Sequence, residues 1–262
     1  MSSSDKPIPV RILSLRTWSD HLFSFTVQRP PDFRFKAGQF ARLGVATPHP
    51  EADAQGFVWR AYSMASGPYD ERLEFYSIVV PQGVFTPALA RCRVGDSLLL
   101  DRQAYGYLTC DRFPRGGDLW MLCSGTGLAP YLSMLQDPDT WAQFDRLFLV
   151  HSVRATQELA YRDLIEALPS HPLWGPEAHR LRYQPIVTRE PSPFPNIRIP
   201  QMLDSGQLAA QLQAAASPEQ SRFMLCGNPD MVRDCKESLQ KQGFVTDRPS
   251  RPGQIATENY WS

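Results

Sequence analysis

The sequence predicts a chain of two domains, an all-β antiparallel barrel or sandwich followed by an α/β domain of βαβ type. Three observations predict it. Up to about residue 110, apolar residues come in short alternating or β-branched runs broken by Pro and Gly turns. After Phe113-Pro114-Arg115-Gly116-Gly117, short apolar strands alternate instead with segments of helical period. The 262-residue length and 42% hydrophobic fraction supply a core for each half. The boundary is set at that Pro-Gly segment, giving domains 1–112 and 113–262.

In the first half, Phe23, Phe25 and Val27 alternate with Ser24 and Thr26, and Leu73–Val80 is dense enough for a strand buried on both sides. Turn signals at Pro30-Pro31, Lys36-Ala37-Gly38, Gly67-Pro68 and Val94-Gly95-Asp96 separate several short strands. In the second half, strands are predicted at Leu119–Cys123, Leu147–Val150, Gln184–Thr188 and Phe223–Cys226. A glycine turn after the first leads into a helix with Pro130 in its first turn. Leu159, Ile165 and Leu168 mark the apolar stripe of a helix after the second. The Pro-rich stretch Glu190–Pro200 is a loop of restricted conformation. Asn228 as N-cap and Pro229 at the first position start a last helix, carrying Met231, Val232, Cys235 and Leu239 and stopped by Gly243.

Composition excludes several functions. Lys plus Arg number 27 and so do Asp plus Glu, so net charge selects no nucleic-acid partner. No run approaches the ~18 apolar residues of a membrane span, and Met1–Pro9 lacks the apolar core of a secretory signal, which makes the cytoplasm the expected address. The five cysteines and five histidines fall in no metal-ligand or disulfide spacing, so no metal site is expected. Balanced charge and two self-contained cores suit a monomer.

Four constellations carry chemistry. In Leu122–Pro130, Gly125-Thr126-Gly127 joins a strand to a helix, where small residues and free N–H groups suit a diphosphate. The following strand runs into Arg154 rather than the acidic residue that would hold ribose hydroxyls; Arg154, Arg189 and Arg198 suit a 2′-phosphate. In Arg60-Ala61-Tyr62-Ser63, a tyrosine at a strand end offers a ring and an arginine a diphosphate partner. The turn Gly83-Val84-Phe85-Thr86, with Thr86 as N-cap and Pro87 after it, offers a second diphosphate site. Cys226-Gly227-Asn228-Pro229 places a thiol at a strand's carboxyl end, where open α/β sheets bind ligands. The chain closes on Glu258-Asn259-Tyr260-Trp261-Ser262, whose aromatics suggest docking. Taken singly, each reads equally as an ordinary turn, a solvated arginine, a core tyrosine or a packing thiol.

Taken together and in this order, these residues resemble the ferredoxin–NADP+ reductase family, in particular the bacterial type ending just after a Tyr-Trp pair. This chain departs from it by one residue, Ser262, after that pair. The resemblance implies a six-stranded antiparallel β-barrel for FAD and a domain with a five-stranded parallel sheet for NADP(H). It implies that Tyr62 stacks on the flavin with Ser63 beside it, and that Arg60, Ala61, Gly83, Val84, Phe85 and Thr86 hold the rest of FAD together with Tyr76, Ile78, Val79, Thr126 and Glu258. Tyr260 would cover the other flavin face, moving aside for nicotinamide, and Trp261 would pack near the adenine. Gly125, Thr126, Gly127, Arg154, Arg189, Arg198, Gly227, Asn228 and Met231 would hold NADP(H), with Cys226 and Glu258 flanking the nicotinamide. Ser63, Cys226, Glu258 and Tyr260 become the catalytic set. The implied activity is electron exchange between NADPH and ferredoxin or flavodoxin through FAD. The alternatives are an oxygenase's reductase component, a free flavin reductase, and a non-enzymatic FAD-binding redox sensor or assembly module.

Overall fold

Six strands form where β-branched and aromatic residues cluster between Pro and Gly turns. The computed structural model describes residues 6–258, so the roles given to Tyr260 and Trp261 lie outside the described residues. The strands are β1 (Ile8–Ser19), β2 (Leu22–Gln28), β3 (Phe40–Ala46), β4 (Phe57–Ser63), β5 (Arg72–Ile78) and β6 (Ser97–Tyr105). They are antiparallel in the order β4-β3-β6-β1-β2-β5. A bridge between Met64, just past β4, and Phe75 of β5 joins the two ends of that order and closes a barrel. The interior is filled by Ile12, Phe25, Leu43, Phe75 and Leu100, joined by Phe85, Ala88 and Leu89 of the short helix α1 (Phe85–Ala90). Each large apolar side chain so buried contributes about 1.5–3 kcal/mol.

The second unit is a parallel sheet. Its strands are β7 (Asp118–Ser124), β8 (Arg146–Val153), β9 (Leu181–Val187), β10 (Ser221–Cys226) and β11 (Ile255–Glu258), ordered β11-β10-β7-β8-β9. Trp120 of β7 stacks between Phe148 (4.3 Å) and Phe223 (5.5 Å) on the face covered by α5 (Ile199–Asp204), α6 (Gln207–Leu212) and α7 (Pro229–Lys241). Because strand side chains alternate, Cys123, His151 and Cys226 fall on the other face. The remaining helices are α2 (Ala129–Leu135), α3 (Pro138–Gln143) and α4 (Arg162–Glu166). By contacts, the first unit reaches to Thr109 and includes Leu132–Asp137; the second holds Cys110–Tyr131 and the chain from Pro138 onward.

Several elements differ from the sequence reading. Thr86 is not an N-cap: α1 already starts at Phe85, and the Thr86 hydroxyl instead accepts from Val80 N (2.8 Å). A competing part-buried N–H six residues upstream captured the side chain that a cap would have used. The stripe Leu159-Ile165-Leu168 is buried as expected, but it spans two 3-10 turns and only five residues of α4, entered through Tyr161 at φ +63°. β5 ends at Ile78, before Val79 and Val80. By contrast, α7 has the Asn228 cap, which accepts from Asp230 N and Met231 N, and Gly243 follows it at φ +91°.

Candidate functional site

In the barrel unit, β4 ends on Tyr62 and Ser63, one half-buried and one buried. The Tyr62 ring lies edge-on to Phe25 (6.3 Å) and Phe75 (6.3 Å) and tilted over Phe85 (5.4 Å). Its hydroxyl shares a 2.9 Å hydrogen bond with Ser77 Oγ. Desolvation raises the phenol to about 12, against the smaller opposing effects of Ser77 and Arg60, so it stays a neutral aromatic plate. Tyr76 is buried, Phe85 is buried, and Ile78, Val79 and Val84 are half-buried around the same strand ends.

The loop after β5 is pinned at three points. Val79 N donates to His21 O (2.7 Å), Val80 N to Thr86 Oγ1 (2.8 Å) and Gly83 N to Val80 O (2.9 Å). A Cβ at Gly83 would stand 3.2 Å from Val80 O, so the turn is tight against itself. Arg60 and Ala61 are exposed. The Arg60 guanidinium donates to Trp59 O (2.8 Å) and stands 3.5 Å from Glu51, an exposed pair of the kind worth little in water. It is therefore available to an anion of higher charge.

In the parallel unit, the carboxyl ends of β7 and β10 are locked together by small residues. Ser124 Oγ accepts from Asn228 N (2.9 Å). A Cβ at Gly127 would fall 2.5 Å from Cys226 O, and one at Gly227 would fall 2.5 Å from Ser124 Oγ. These two glycines let the turn after β7 and the turn after β10 touch. Gly125 does a different job. It adopts φ +54°, and a Cβ there would meet nothing within 4 Å among the described residues, so they leave space where the backbone turns from β7 into the 3-10 segment Gly125–Leu128 and α2. Thr126 is half-exposed beside that space. The first N–H groups of such a turn have no intrahelical partner, which is what a diphosphate needs.

Beyond β8 and β9 the cations gather. Thr188 N donates to Val153 O (3.0 Å) and Arg189 N to Arg154 O (2.9 Å), so a backbone ladder continues past the strand ends and sets Arg154 beside Arg189. The Pro-rich loop folds back through Val187 N to Pro195 O (3.0 Å) and leads to Arg198 at the start of α5. All three arginines are exposed. Two carboxylates close in sequence are taken by backbone donors instead: Glu158 accepts from Arg154 N (2.9 Å) and Glu190 from Thr156 N (2.6 Å). Among the described residues, no ion pair engages the guanidinium of Arg154, Arg189 or Arg198.

Cys226 is fully buried, in register with Cys123 on one side and Glu258 on the other. Glu258 is half-buried at the edge strand. Met231 is half-buried in the first turn of α7. Residues that sequence reading missed are structural supports: Ser77 under Tyr62, Ser124 between two turns, and His151, whose Nε2 lies 3.1 Å from Gly125 O. Ser124 and His151 both stood inside the motifs that were read, but only long-range pairing gives them a partner.

With this geometry in view, comparison with known proteins decides the family. Residues 121–237 match the oxidoreductase NAD-binding domain family. The ferredoxin–NADP reductase of Pseudomonas aeruginosa is 40% identical over 253 residues, 95% of this chain and 95% of that one. The chain belongs to the ferredoxin–NADP reductase family. The flavodoxin/ferredoxin–NADP reductase of Escherichia coli is 37% identical over 96% of this chain and 97% of its own. The crystal structure of a ferredoxin NADP+ reductase from Neisseria gonorrhoeae with bound FAD and NADP superposes with a TM-score of 0.88, at 38% identity, covering 98% of this chain and 99% of that one. In this family setting the six-stranded antiparallel barrel and the five-stranded parallel sheet are the architecture expected from the sequence.

Proposed function

We propose that this chain is an FAD-dependent reductase that exchanges electrons between NADPH and a ferredoxin or flavodoxin. The observation that carries the reading is local to the parallel unit: a left-handed glycine just past the carboxyl end of β7, with exposed arginines beyond the neighbouring strands that form no ion pair among the described residues. That pair of features suits a nucleotide with both a diphosphate and a 2′-phosphate. Full-length similarity to reductases of that name supports it.

FAD, when bound, supplies the conversion between a two-electron donor and a one-electron carrier. The chain's own residues supply position and field. In this reading Tyr62 and Ser63 hold the flavin ring, Arg60 leaves Glu51 for the diphosphate, and the Val80–Thr86 loop, with Tyr76 close by, encloses the remainder. Gly125, Thr126 and Gly127 take the NADP(H) diphosphate. Arg154, Arg189 and Arg198 take the 2′-phosphate, and Cys226, Gly227, Asn228 and Met231 line the nicotinamide end with Glu258. Tyr260 and Trp261, outside the described residues, keep the FAD roles that the family resemblance implies. The expected compartment is the cytoplasm, which suits a chain whose five cysteines are all thiols, and the expected working form is a monomer.

Anaerobic titration of the purified protein with NADPH, and separately with NADH, tests the reading. A visible flavin band that bleaches rapidly with NADPH and slowly with NADH is the expected result. A colourless protein, or a flavin band indifferent to both nucleotides, would replace it with a non-catalytic FAD-binding role.

A further inference from the structure

His151 is a histidine buried without an assigned task. It lies on β8, fully buried, in register with Cys123 of β7 and Pro185 of β9. Its Nε2 stands 3.1 Å from the carbonyl oxygen of Gly125, at the left-handed corner of the nucleotide turn. A carbonyl oxygen only accepts, so Nε2 must carry the proton and the tautomer is fixed. Nδ1 is then a bare acceptor, and it finds no partner among the described residues. A buried acceptor left unmet costs free energy. Among the described residues the ring is thus held through Nε2 alone.

The benefit lies on the far side of one peptide bond. A trans peptide is planar and its C=O and N–H point in opposite directions. Fixing the Gly125 carbonyl on His151 therefore turns the Thr126 N–H to the side of the peptide away from His151. We infer that His151 is a positioning residue for nucleotide binding: through the Gly125 carbonyl it orients the Thr126 N–H toward the diphosphate of NADP(H). The inference rests on the nucleotide reading above and adds to it a residue that touches no ligand. Burial supports it, because desolvation lowers the imidazole to about 4 and keeps it in the neutral form that the tautomer requires.

The test separates the two phosphate subsites. Wild-type holoprotein, His151→Phe and His151→Gln are titrated calorimetrically with NADP+ and with adenosine 2′-monophosphate, which reaches the arginines but carries no diphosphate. His151→Phe removes the donor, while His151→Gln places an amide N–H where Nε2 stood. The expected result is NADP+ binding weakened about tenfold in His151→Phe and restored to within about threefold in His151→Gln, with binding of the monophosphate unchanged in both. NADP+ affinity unchanged in His151→Phe would overturn the inference alone. So would parallel loss of both ligands, which would mean that the ring only packs. If His151→Phe does not fold, His151→Asn, whose amide is too short to reach Gly125, serves beside His151→Gln, and equal NADP+ affinity in those two would also overturn it. Wild-type protein that binds neither ligand would remove the nucleotide reading itself and this inference with it.

Discussion

Arg154 and Arg189 owe their proximity to the backbone ladder that continues past the strand ends, not to any attraction between side chains, so the pair of cations must be held against their own repulsion. Such an arrangement makes sense when an anion settles between them, because charge-assisted hydrogen bonds contribute about 1.5–3 kcal/mol each. The double change Arg154→Glu, Arg189→Glu should therefore raise the KM for NADPH by at least about 100-fold while moving that for NADH only a few-fold. Steady-state kinetics with both nucleotides checks it, and equal losses would remove these residues from the 2′-phosphate site. Tyr62 offers a second residue-level check. With its hydroxyl desolvated and bonded to Ser77, it should stay protonated in an ultraviolet titration until pH approaches 12, and Tyr62→Phe should keep the ring in place at a cost of about 1 kcal/mol. The candidate motif residues were legible because arginine, tyrosine and cysteine carry their chemistry in their own side chains, and the glycines because lacking one is itself a local signal. Ser77, Ser124 and His151 were not, since each acts on a backbone or side-chain atom more than ten positions away.

At the scale of elements, the two glycine turns after β7 and β10 form one unit. Gly127 packs on Cys226 O, Gly227 packs on Ser124 Oγ, and Ser124 bonds Asn228, which in turn caps α7. A methyl group at residue 127 has rigid backbone as its neighbour and no flexible side chain to push aside. Gly127→Ala should accordingly destabilise the fold by about 1–3 kcal/mol and weaken NADP+ binding as well, measured by urea unfolding and calorimetry. Ser124→Ala, which removes only the Asn228 acceptor, should cost about 1 kcal/mol. This coupling explains what sequence reading captured and what it missed. α7 was legible because its cap, its first-position proline and its terminal glycine are local signals. Thr86 followed by Pro87 gave the same local signal and it misled, because Val80 N reached the hydroxyl first. β11 gave none: Ile-Ala-Thr-Glu is four residues of no clear period, and it is a strand because β10 offers an open parallel edge in register.

At the scale of the whole molecule, the change of hydrophobic period near Gly116-Gly117 was enough to separate two classes of core, since a closed antiparallel barrel and a parallel sheet impose different repeats on their strands. What the repeats could not convey is how stability depends on pH, and in the parallel unit one buried histidine bears on it. His151 is neutral in the folded chain down to about pH 4, whereas an unfolded histidine takes up its proton near 6.5. Desolvation outweighs the Gly125 hydrogen bond and the attraction of Glu158, both of which act in the opposite direction, and the Cys123 thiol beside it is pushed up by burial and adds no charge. Below pH 6.5 the unfolded chain therefore binds the proton that the native chain refuses. Stability conferred by keeping the ring neutral is complete above pH 6.5, falls as pH drops through the window from 6.5 to about 4, and levels off below it. The full loss amounts to about 3 kcal/mol. His151→Gln cannot titrate, so the difference in unfolding free energy between it and wild type should shift by about that amount in its favour between pH 7.5 and pH 4. Urea unfolding followed in both proteins across that range measures the shift. A difference that stays flat would mean that the buried ring is protonated in the native state, and with it the Nε2 donor would no longer report a fixed tautomer.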